Sequence, residues 1–570
     1  MQPEKDSVEI PCNQRKEVFF LTIEKFNLFS EPWIPVRDTD KNNTSRRKFA
    51  SLREVLVSGE KYELVNVRDD FSMYQTEMLA CLVQAAFLPR DNDELLKRIQ
   101  TPMEGFEYDR AVSMVSDNFD MSWFDLLHDK YPFMQHRDIP KKNPDKAEDA
   151  PVNKIIPEYA TRKFHFNNPN SITHVCPSCA ATALFIRGNY AYGGGAKHKM
   201  PFRKGAISTY IYDGDLRKAI WKNVLPASHP LVSDIREICT DREPVWVKPP
   251  YEETVYVHTM GLLRGEFWIP DPLYLDWEQG RLRCSVCGME TGLAAVGAHV
   301  GVSLYEKVVG TWISPFSPYI DKYYRYAQDL ESKKKMRKPG RKTGTRRKKP
   351  EVQFTVVKME KHLPFWSFLN SVFPPDEAGK WSASVKNYLD LAVELGDKSI
   401  QLSIGGYAYN DVKEPNIKQR RHEIIPILSP AKDLDKMRTV VALGMEIAKI
   451  LENKAFGVAK YLEGEKYVNK YKDNKGFIFK CLSDFYNSTE FTMYRWINEF
   501  PAVASNGEKT EFLFAVAKTL TREAENTFRK FTCHLAGLKA EKTVCMTENA
   551  LRKELARIRL RYAAVKENNC

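Results

Sequence analysis

Two cysteine pairs constrain this chain more than any other feature: Cys176-Pro-Ser-Cys179 and Cys284-Ser-Val-Cys287-Gly288. Two-residue spacing lets both thiolates of a unit grip one ion from a tight turn. A glycine after the second cysteine permits the positive-φ turn that aims backbone N–H groups at sulfur. If both units hold the same ion, two segments far apart in the chain must meet, and a long-range contact is fixed. Four thiolates in a tetrahedron suit zinc, and an all-cysteine site leaves no position for substrate, so the ion would be structural. Two alternatives stay open: the metal has been lost in this protein, or the cysteines are reduced core thiols. His174 is either a substitute ligand or a surface residue. The chain's 11 cysteines are otherwise scattered, which fits a reducing compartment better than a disulfide framework.

The length of 570 residues allows two to four domains at ~150 residues each. A hydrophobic fraction of 43% provides for a sizeable core. No run approaches the ~20 apolar residues that cross a bilayer, and "MQPEKDSVEIPCNQRKEVFF" lacks the order of a signal peptide. A soluble cytoplasmic protein with no membrane partner is expected. The net charge of +12 is concentrated. Lys333, Lys334, Lys335, Arg337, Lys338, Arg341, Lys342, Arg346, Arg347, Lys348 and Lys349 stand against Glu331 alone within 331–350. With Gly and Pro in it, this tract reads as a flexible loop whose cations neutralise phosphates without reading sequence. A solvated linker and a nuclear-localisation signal are the other readings.

Residues 1–25 read as an N-terminal extension. In "FNLFSEPWIPVRD" a proline on each side of Trp33–Ile34 suits a short strand fixed at both ends. Tyr74 to Ile99 reads as two helices around a Pro-Arg-Asp-Asn break. Residues 110–430 mix β-like runs ("VWVKPP", "ETVYVHTM", "GEFWIP", "KSIQLSIGGYAY") with turns, an irregular α+β region rather than a βαβ series. After Pro430, Met437, Val441, Gly444, Ala448 and Leu451 recur at helical spacing. Helical segments follow near 477–500, 508–537 and 547–567. The last carries Leu551, Leu555, Ile558 and Tyr562 on one stripe, surrounded by Arg552, Lys553, Arg557, Arg559 and Arg561. The fold class is therefore α+β: a large irregular domain over 26–428 with a four-cysteine, zinc-knuckle-like site, then a four-helix bundle over 429–570. The arginine face is either solvated or a contact surface.

Three further stretches are candidate sites. Gly193, Gly194 and Gly195 precede Lys197, Lys199, Arg203 and Lys204, placing bare backbone beside positive charge; the pattern fits neither GxxxxGK[ST] nor GxGxxG. In "FHFNNPN", aromatic and amide side chains interleave as groups that stack on or bond to bases, or as a buried aromatic before an Asn-Pro turn. "GGYAYND" and "KQRRHE" read as two β arms around a polar tip at Asn410 and Asp411. Catalytic constellations are scarce. HExxH and GxSxG are missing, and His128-Asp129 is an isolated pair. Recognition or scaffolding fits better than catalysis.

Taken in order, "FNLFSEPWIPV", "YPFMQ", "CPSCAATALF" with "YGGG", "RGEFW", "CSVCG" and "GGYAYND…RRH" resemble the CasA family, the large subunit of the type I-E CRISPR Cascade complex. The resemblance runs from about Phe26 to the C-terminus; residues 1–25 and the basic tract are additions. It implies a non-catalytic subunit that joins other Cascade proteins and a guide CRISPR RNA. Such a subunit reads the protospacer-adjacent motif (PAM) of target double-stranded DNA, promotes R-loop formation and offers a surface to the helicase-nuclease. By the same resemblance Gly193, Gly194 and Gly195 contact the PAM in its minor groove, with Lys197 near phosphate. Phe166 and Asn168 lie in a loop near the PAM, and Asn410 and Asp411 form the strand-separating wedge. Two departures stand out. A familiar form of the wedge has Gln where this chain has Asp411; DNA repels a carboxylate, so Asn410 or Tyr409 takes the wedging role. A family lysine after the second CxxC is matched only poorly by Lys307, which leaves PAM preference open. Competing readings are a stand-alone zinc-containing nuclease and an RNA-binding scaffold.

Overall fold

A computed structural model of the chain describes residues 23–563 outside 40–45, 114–119, 138–147, 158–170, 191–200, 233–242, 251–252, 302–304, 322–353, 361–362, 375–378, 398, 410–416, 429–433, 464–475 and 536. Six helices matter here: α1 (Asp69–Ala86), α2 (Pro177–Asn189), α3 (Leu434–Glu463), α4 (Phe477–Glu499), α5 (Asn506–Thr532) and α6 (Leu538–Ala563). So do nine strands: β1 (Ile34–Asp38), β2 (Lys48–Ala50), β3 (Tyr62–Leu64), β4 (Glu148–Pro151), β5 (Ile207–Tyr212), β6 (Leu273–Arg283), β7 (Glu290–Val300), β8 (Ser399–Tyr409) and β9 (Ile417–Leu428).

The strands form small, mainly antiparallel sheets. The sheets run β2-β1-β3, β4-β7-β6 and β9-β8-β5. Helix α1 is apolar around most of its circumference and is accordingly buried on nearly every side from Asp70 to Val83. It packs against α2 and both strands of the β8–β9 hairpin. The predicted break after it is present: Asp91 caps the helix Asn92–Gln100 by accepting the Glu94 N–H.

The N-terminal strand differs from expectation. It starts at Ile34 and runs through Pro35, whose carbonyl accepts the Val65 N–H, so the second proline lies inside the strand rather than ending it. Two β-like runs are not strands. "VWVKPP" lies in a turn whose Glu243 and Lys248 carbonyls accept from Arg264 instead of a neighbouring strand. "GEFWIP" begins at the end of the short helix Leu262–Glu266 and continues without regular structure, with Phe267 and Trp268 fully buried. The long β6–β7 hairpin was missed. Its first strand is mostly open to solvent beyond Leu275, its second is buried at Leu293, Ala294 and Ala295, and its turn carries the second CxxC.

All four C-terminal helices are present, the last beginning earlier than read, at Leu538. Helix α3 touches α4, α5 and α6; α4 meets α5, and α5 meets α6. Met437, Val441, Ala448 and Leu451 are buried, as are Leu551, Leu555 and Ile558. The α6 arginines serve these contacts in part: Arg559 pairs with Glu525 on α5 and Arg561 with Glu446 on α3. Among the described residues no helix is long and apolar enough to cross a membrane.

Candidate cysteine cluster and nucleic-acid interface

The two CxxC units meet. Val175, just before the first unit, exchanges backbone hydrogen bonds of 2.9 and 2.8 Å with Ala295 on β7, the strand that follows the second. Ser285 locks the turn: its N–H donates to the His174 carbonyl, and its Oγ accepts the His174 N–H. The four sulfurs lie within 4.8 Å of one another, and all four cysteines are buried. The Sγ atoms of Cys176 and Cys287 are 3.7 Å apart. A tetrahedron of sulfurs at ~2.3 Å from zinc has edges of ~3.8 Å, so the donor set fits a closed four-thiolate site.

Cys176 is the N-cap of α2, with Pro177 at its first position, so the helix dipole favours thiolate there. Hydrogen bonds from Cys176 and Cys179 lower the Cys287 thiol and hold that of Cys284 well below the ordinary thiol range, while Cys176 and Cys179 themselves are raised well above it. Four adjacent thiolates repel unless a cation sits between them. Gly288 takes the expected positive φ of 73°. Its N–H, however, bonds the Cys284 carbonyl; the N–H that meets sulfur is that of Cys176, 3.4 Å from Cys284 Sγ. His174 is turned away, with Nδ1 2.9 Å from Thr173 Oγ1 and Nε2 3.9 Å from Glu278.

The other end of α2 enters a buried charged network. Tyr190, its C-cap, donates its hydroxyl to Glu77 Oε1 and Oε2 at 2.6 and 2.7 Å. Arg203 Nη1 reaches Glu77 Oε1 at 2.5 Å, Ser314 Oγ at 2.9 Å and the Tyr190 hydroxyl, while Nη2 lies 3.3 Å from Glu266. Ser208 on β5 donates to Glu77 at 2.6 Å. Arg203 is 1% exposed and Glu77 0%. With two carboxylates around one guanidinium, burial pushes Glu266 up to about 7. Arg203 is therefore not one of the surface cations beside the glycines, as the sequence suggested. Burial of an arginine this deep requires pairing, and its partners lie on distant parts of the chain that composition cannot connect.

This network sits at the stem of the triglycine segment. Gly193, Gly194, Gly195, Lys197 and Lys199 lie outside the described residues, but both flanks are described. The Arg203 N–H closes onto the Asn189 carbonyl at 3.2 Å, and Phe202 stacks on Trp268 with centroids 4.6 Å apart. After Arg203 the chain enters β5, which pairs antiparallel with β8: Ile207 lies opposite Gly406 and Ser208 opposite Gly405. Strand β8 then ends at Tyr409, directly before the tip residues Asn410 and Asp411, which also lie outside the described residues. The described flanks of the glycine segment and of the hairpin tip thus meet at the same end of one sheet. Tyr409 joins them: its hydroxyl donates to the Tyr190 carbonyl at 3.0 Å, and Lys204 lies over its ring at 4.8 Å.

Phe166, Asn168 and the tract Lys333–Lys349 are outside the described residues. His128 is spent on its own turn, its Nδ1 accepting the Lys130 and Tyr131 N–H groups. Tyr190, Glu77 and Glu266 were not anticipated as a group. The only signal was "RGEFW", whose Glu266 belongs to the network and whose Gly265 fills a special space: a Cβ there would collide with the Trp312 ring.

The fold and the cysteine cluster define a mixed helix-and-strand protein with a buried four-sulfur centre. The sequence model of the CRISPR-associated protein Cse1 family matches residues 27–562, and the chain belongs to that family. The CRISPR-associated protein CasA/Cse1 of Thermus thermophilus is 22% identical over 467 residues, 78% of this chain and 80% of that protein. The solved structure of Thermus thermophilus CasA (Cse1) superposes with a TM-score of 0.65 at 17% identity, covering 94% of this chain and all of that one (100%). A chain from a CRISPR RNA-guided surveillance complex gives a TM-score of 0.61 at 14% identity, over 92% of this chain and 99% of the other.

Proposed function

We propose that this chain is the large, non-catalytic subunit of a type I-E CRISPR RNA-guided surveillance complex, reading the PAM of double-stranded DNA and starting strand separation. Its partners are the other Cascade proteins, the guide RNA, the target duplex and the helicase-nuclease. Family membership supports the large-subunit role. The single observation that supports the DNA reading is that Tyr190, just before the glycine segment, and Tyr409, just before the hairpin tip, are hydrogen-bonded at one end of the β9-β8-β5 sheet. A minor groove ~6 Å wide admits backbone without Cβ atoms, and a wedge at the adjacent base step begins unstacking there. Gly193, Gly194, Gly195 and Lys197 take the first role. Asn410 takes the second, since Asp411 is a carboxylate and the Tyr409 hydroxyl is engaged with Tyr190. Phe166 and Asn168 support the PAM side, and the basic tract holds backbone phosphates. The four cysteines hold a structural zinc ion, and α3 to α6 form a bundle as a second domain over 429–570.

The test is duplex binding by the reconstituted guide-RNA complex, with and without this chain, across a library randomised beside the target. A flanking-base preference that requires the chain and disappears in Gly194→Val supports the reading. Indifference to both chain and flanking bases refutes it. Metal-dependent cutting by the purified chain would instead indicate a nuclease, and preference for RNA over duplex a scaffold.

A further inference from the structure

Two guanidiniums bracket the second CxxC turn, one local and one distant in sequence. Arg283, the residue before Cys284, donates its Nε to the Gly288 carbonyl at 3.0 Å. Arg47 arrives from 240 residues away: its Nη2 donates to the Cys287 carbonyl at 3.1 Å and its Nε to Met289 Sδ at 3.2 Å. Arg47 directly precedes β2, whose Lys48 pairs with Val36 on β1. The N-terminal part of the chain grips the same hairpin at a second point, where Gln279 on β6 accepts the Ile23 N–H at 2.8 Å and donates to the Ile23 carbonyl at 2.7 Å. Charge around the turn is one-sided. Cys284 to Met289 contains no carboxylate. The flanking carboxylates have other partners, Glu290 with Arg281 at 3.5 Å and Glu278 with His174 at 3.9 Å. Among the described residues the guanidiniums of Arg47 and Arg283 meet carbonyls and a sulfur, not carboxylates. Four thiolates around one dication leave a net charge of about −2, and a buried excess of that size is costly without a countercharge beside it.

We infer that Arg47 and Arg283 are positioning residues of the sulfur centre: they supply the countercharge that four thiolates and a dication need, and they fix the turn that holds Cys284 and Cys287 in the cluster. This inference rests on the zinc reading proposed above. Its consequence is that metal retention depends on the N-terminal sheet, because Arg47 is held there. A shift of β2 withdraws one charge and two hydrogen bonds from the turn without touching a ligand.

Arg47→Met and Arg283→Met remove charge and donors while keeping most of the stem; Arg47→Lys keeps the charge. Arg283 is exposed, so its variant does not threaten folding, and it decides alone if Arg47→Met fails to fold. Each full-length chain is loaded with zinc under reductant, and affinity is read by competition with a chelating dye. Both Met variants should bind zinc about tenfold more weakly than wild type, the lower end of the range for an outer-shell partner. Arg47→Lys should recover most of that loss. With cobalt in place of zinc, the thiolate-to-metal absorption of the saturated chain should keep its wild-type intensity in every variant, the sign that all four ligands are retained. Wild-type affinity in both Met variants overturns the inference and leaves the zinc reading standing. So does an Arg47→Lys as weak as Arg47→Met, or a fall in that absorption, since either marks a lost turn structure rather than a lost countercharge. A wild-type chain that takes up no zinc removes the zinc reading and the inference together.

Discussion

Replacing Cys284 by Ala tests the metal centre most directly. Cys284 sits in the turn of the β6–β7 hairpin, and its sulfur accepts the N–H of Cys176, the N-cap of α2. The Cys176–Cys287 separation of 3.7 Å matches a tetrahedral edge at a zinc–sulfur distance of ~2.3 Å, so wild-type protein needs almost no rearrangement to bind. Removal of even an outer-shell partner typically costs metal affinity 10–100-fold; loss of a direct ligand exceeds that. Elemental analysis of protein purified under reductant should give about one zinc per chain for wild type and under about 0.2 for Cys284→Ala. Hydrogen exchange should rise at 173–180 and 284–290, where the two units are joined, before it rises along the rest of α2. The reasoning is refuted if reduced wild type carries no zinc and added zinc does not protect its four buried thiols from a thiol reagent.

Three other outcomes follow from the same geometry. Burial pushes Glu266 up to about 7 from 4.5, so its contribution is fully present below pH 4.5 and is lost as pH rises through 7. Burial drives His136 down to about 3 from 6.5, so its contribution is present above pH 6.5 and is lost as pH falls toward 3. Between pH 4.5 and 6.5 the two slopes oppose at ~1.4 kcal/mol per pH unit each. Glu266→Gln should therefore steepen the loss of stability on acidification in that window, read by denaturant midpoints; an unchanged profile refutes the pairing. Gly265→Ala forces the Trp312 ring to move away from the new Cβ, and should destabilise by ~1–3 kcal/mol or more, seen as a lower melting temperature. Deletion of 331–350 should flatten log K for duplex against log[salt] by roughly 3–4 if about four of its cations meet phosphates; an unchanged slope excludes that contact.

What was legible in the sequence is what short-range chemistry writes there. The CxxC spacing marked the four cysteines that meet in one buried cluster, because two thiols of one turn sit two residues apart. The helix break at Pro89–Asn92 and the C-terminal helices were legible because capping and a 3.6-residue period are local. Strands fared worse. "VWVKPP" has the composition of a strand, yet its Lys248 carbonyl and that of nearby Glu243 accept from Arg264, a side chain whose reach no local pattern reports. The β6–β7 hairpin was overlooked because "LYLDWEQGRLR" turns a polar face to solvent and so lacks an apolar run.

The charged network was the least legible part, and the reason is general. Residue type does not tell a buried arginine from an exposed one, and the sequence neighbours of Arg203, Gly193 to Gly195, argued for exposure. What makes Arg203 internal is Glu77 on one helix, Tyr190 at the end of another, and Glu266 in a motif that reads as aromatic core. The order of motifs in the chain nevertheless carried this information in compressed form. "YGGG" begins beside Tyr190, "RGEFW" supplies Glu266, and "GGYAYND" supplies the strand ending in Tyr409. In three dimensions the described residues beside or within them, Tyr190, Glu266 and Tyr409, converge on one core. Helix α2 connects that convergence to the cysteine cluster, ~20 Å away at ~1.5 Å per residue over its 13 residues. Loss of the sulfur cluster would thus free the N-terminal end of the helix whose C-cap, Tyr190, bonds Glu77, so the buried charged network would loosen with it.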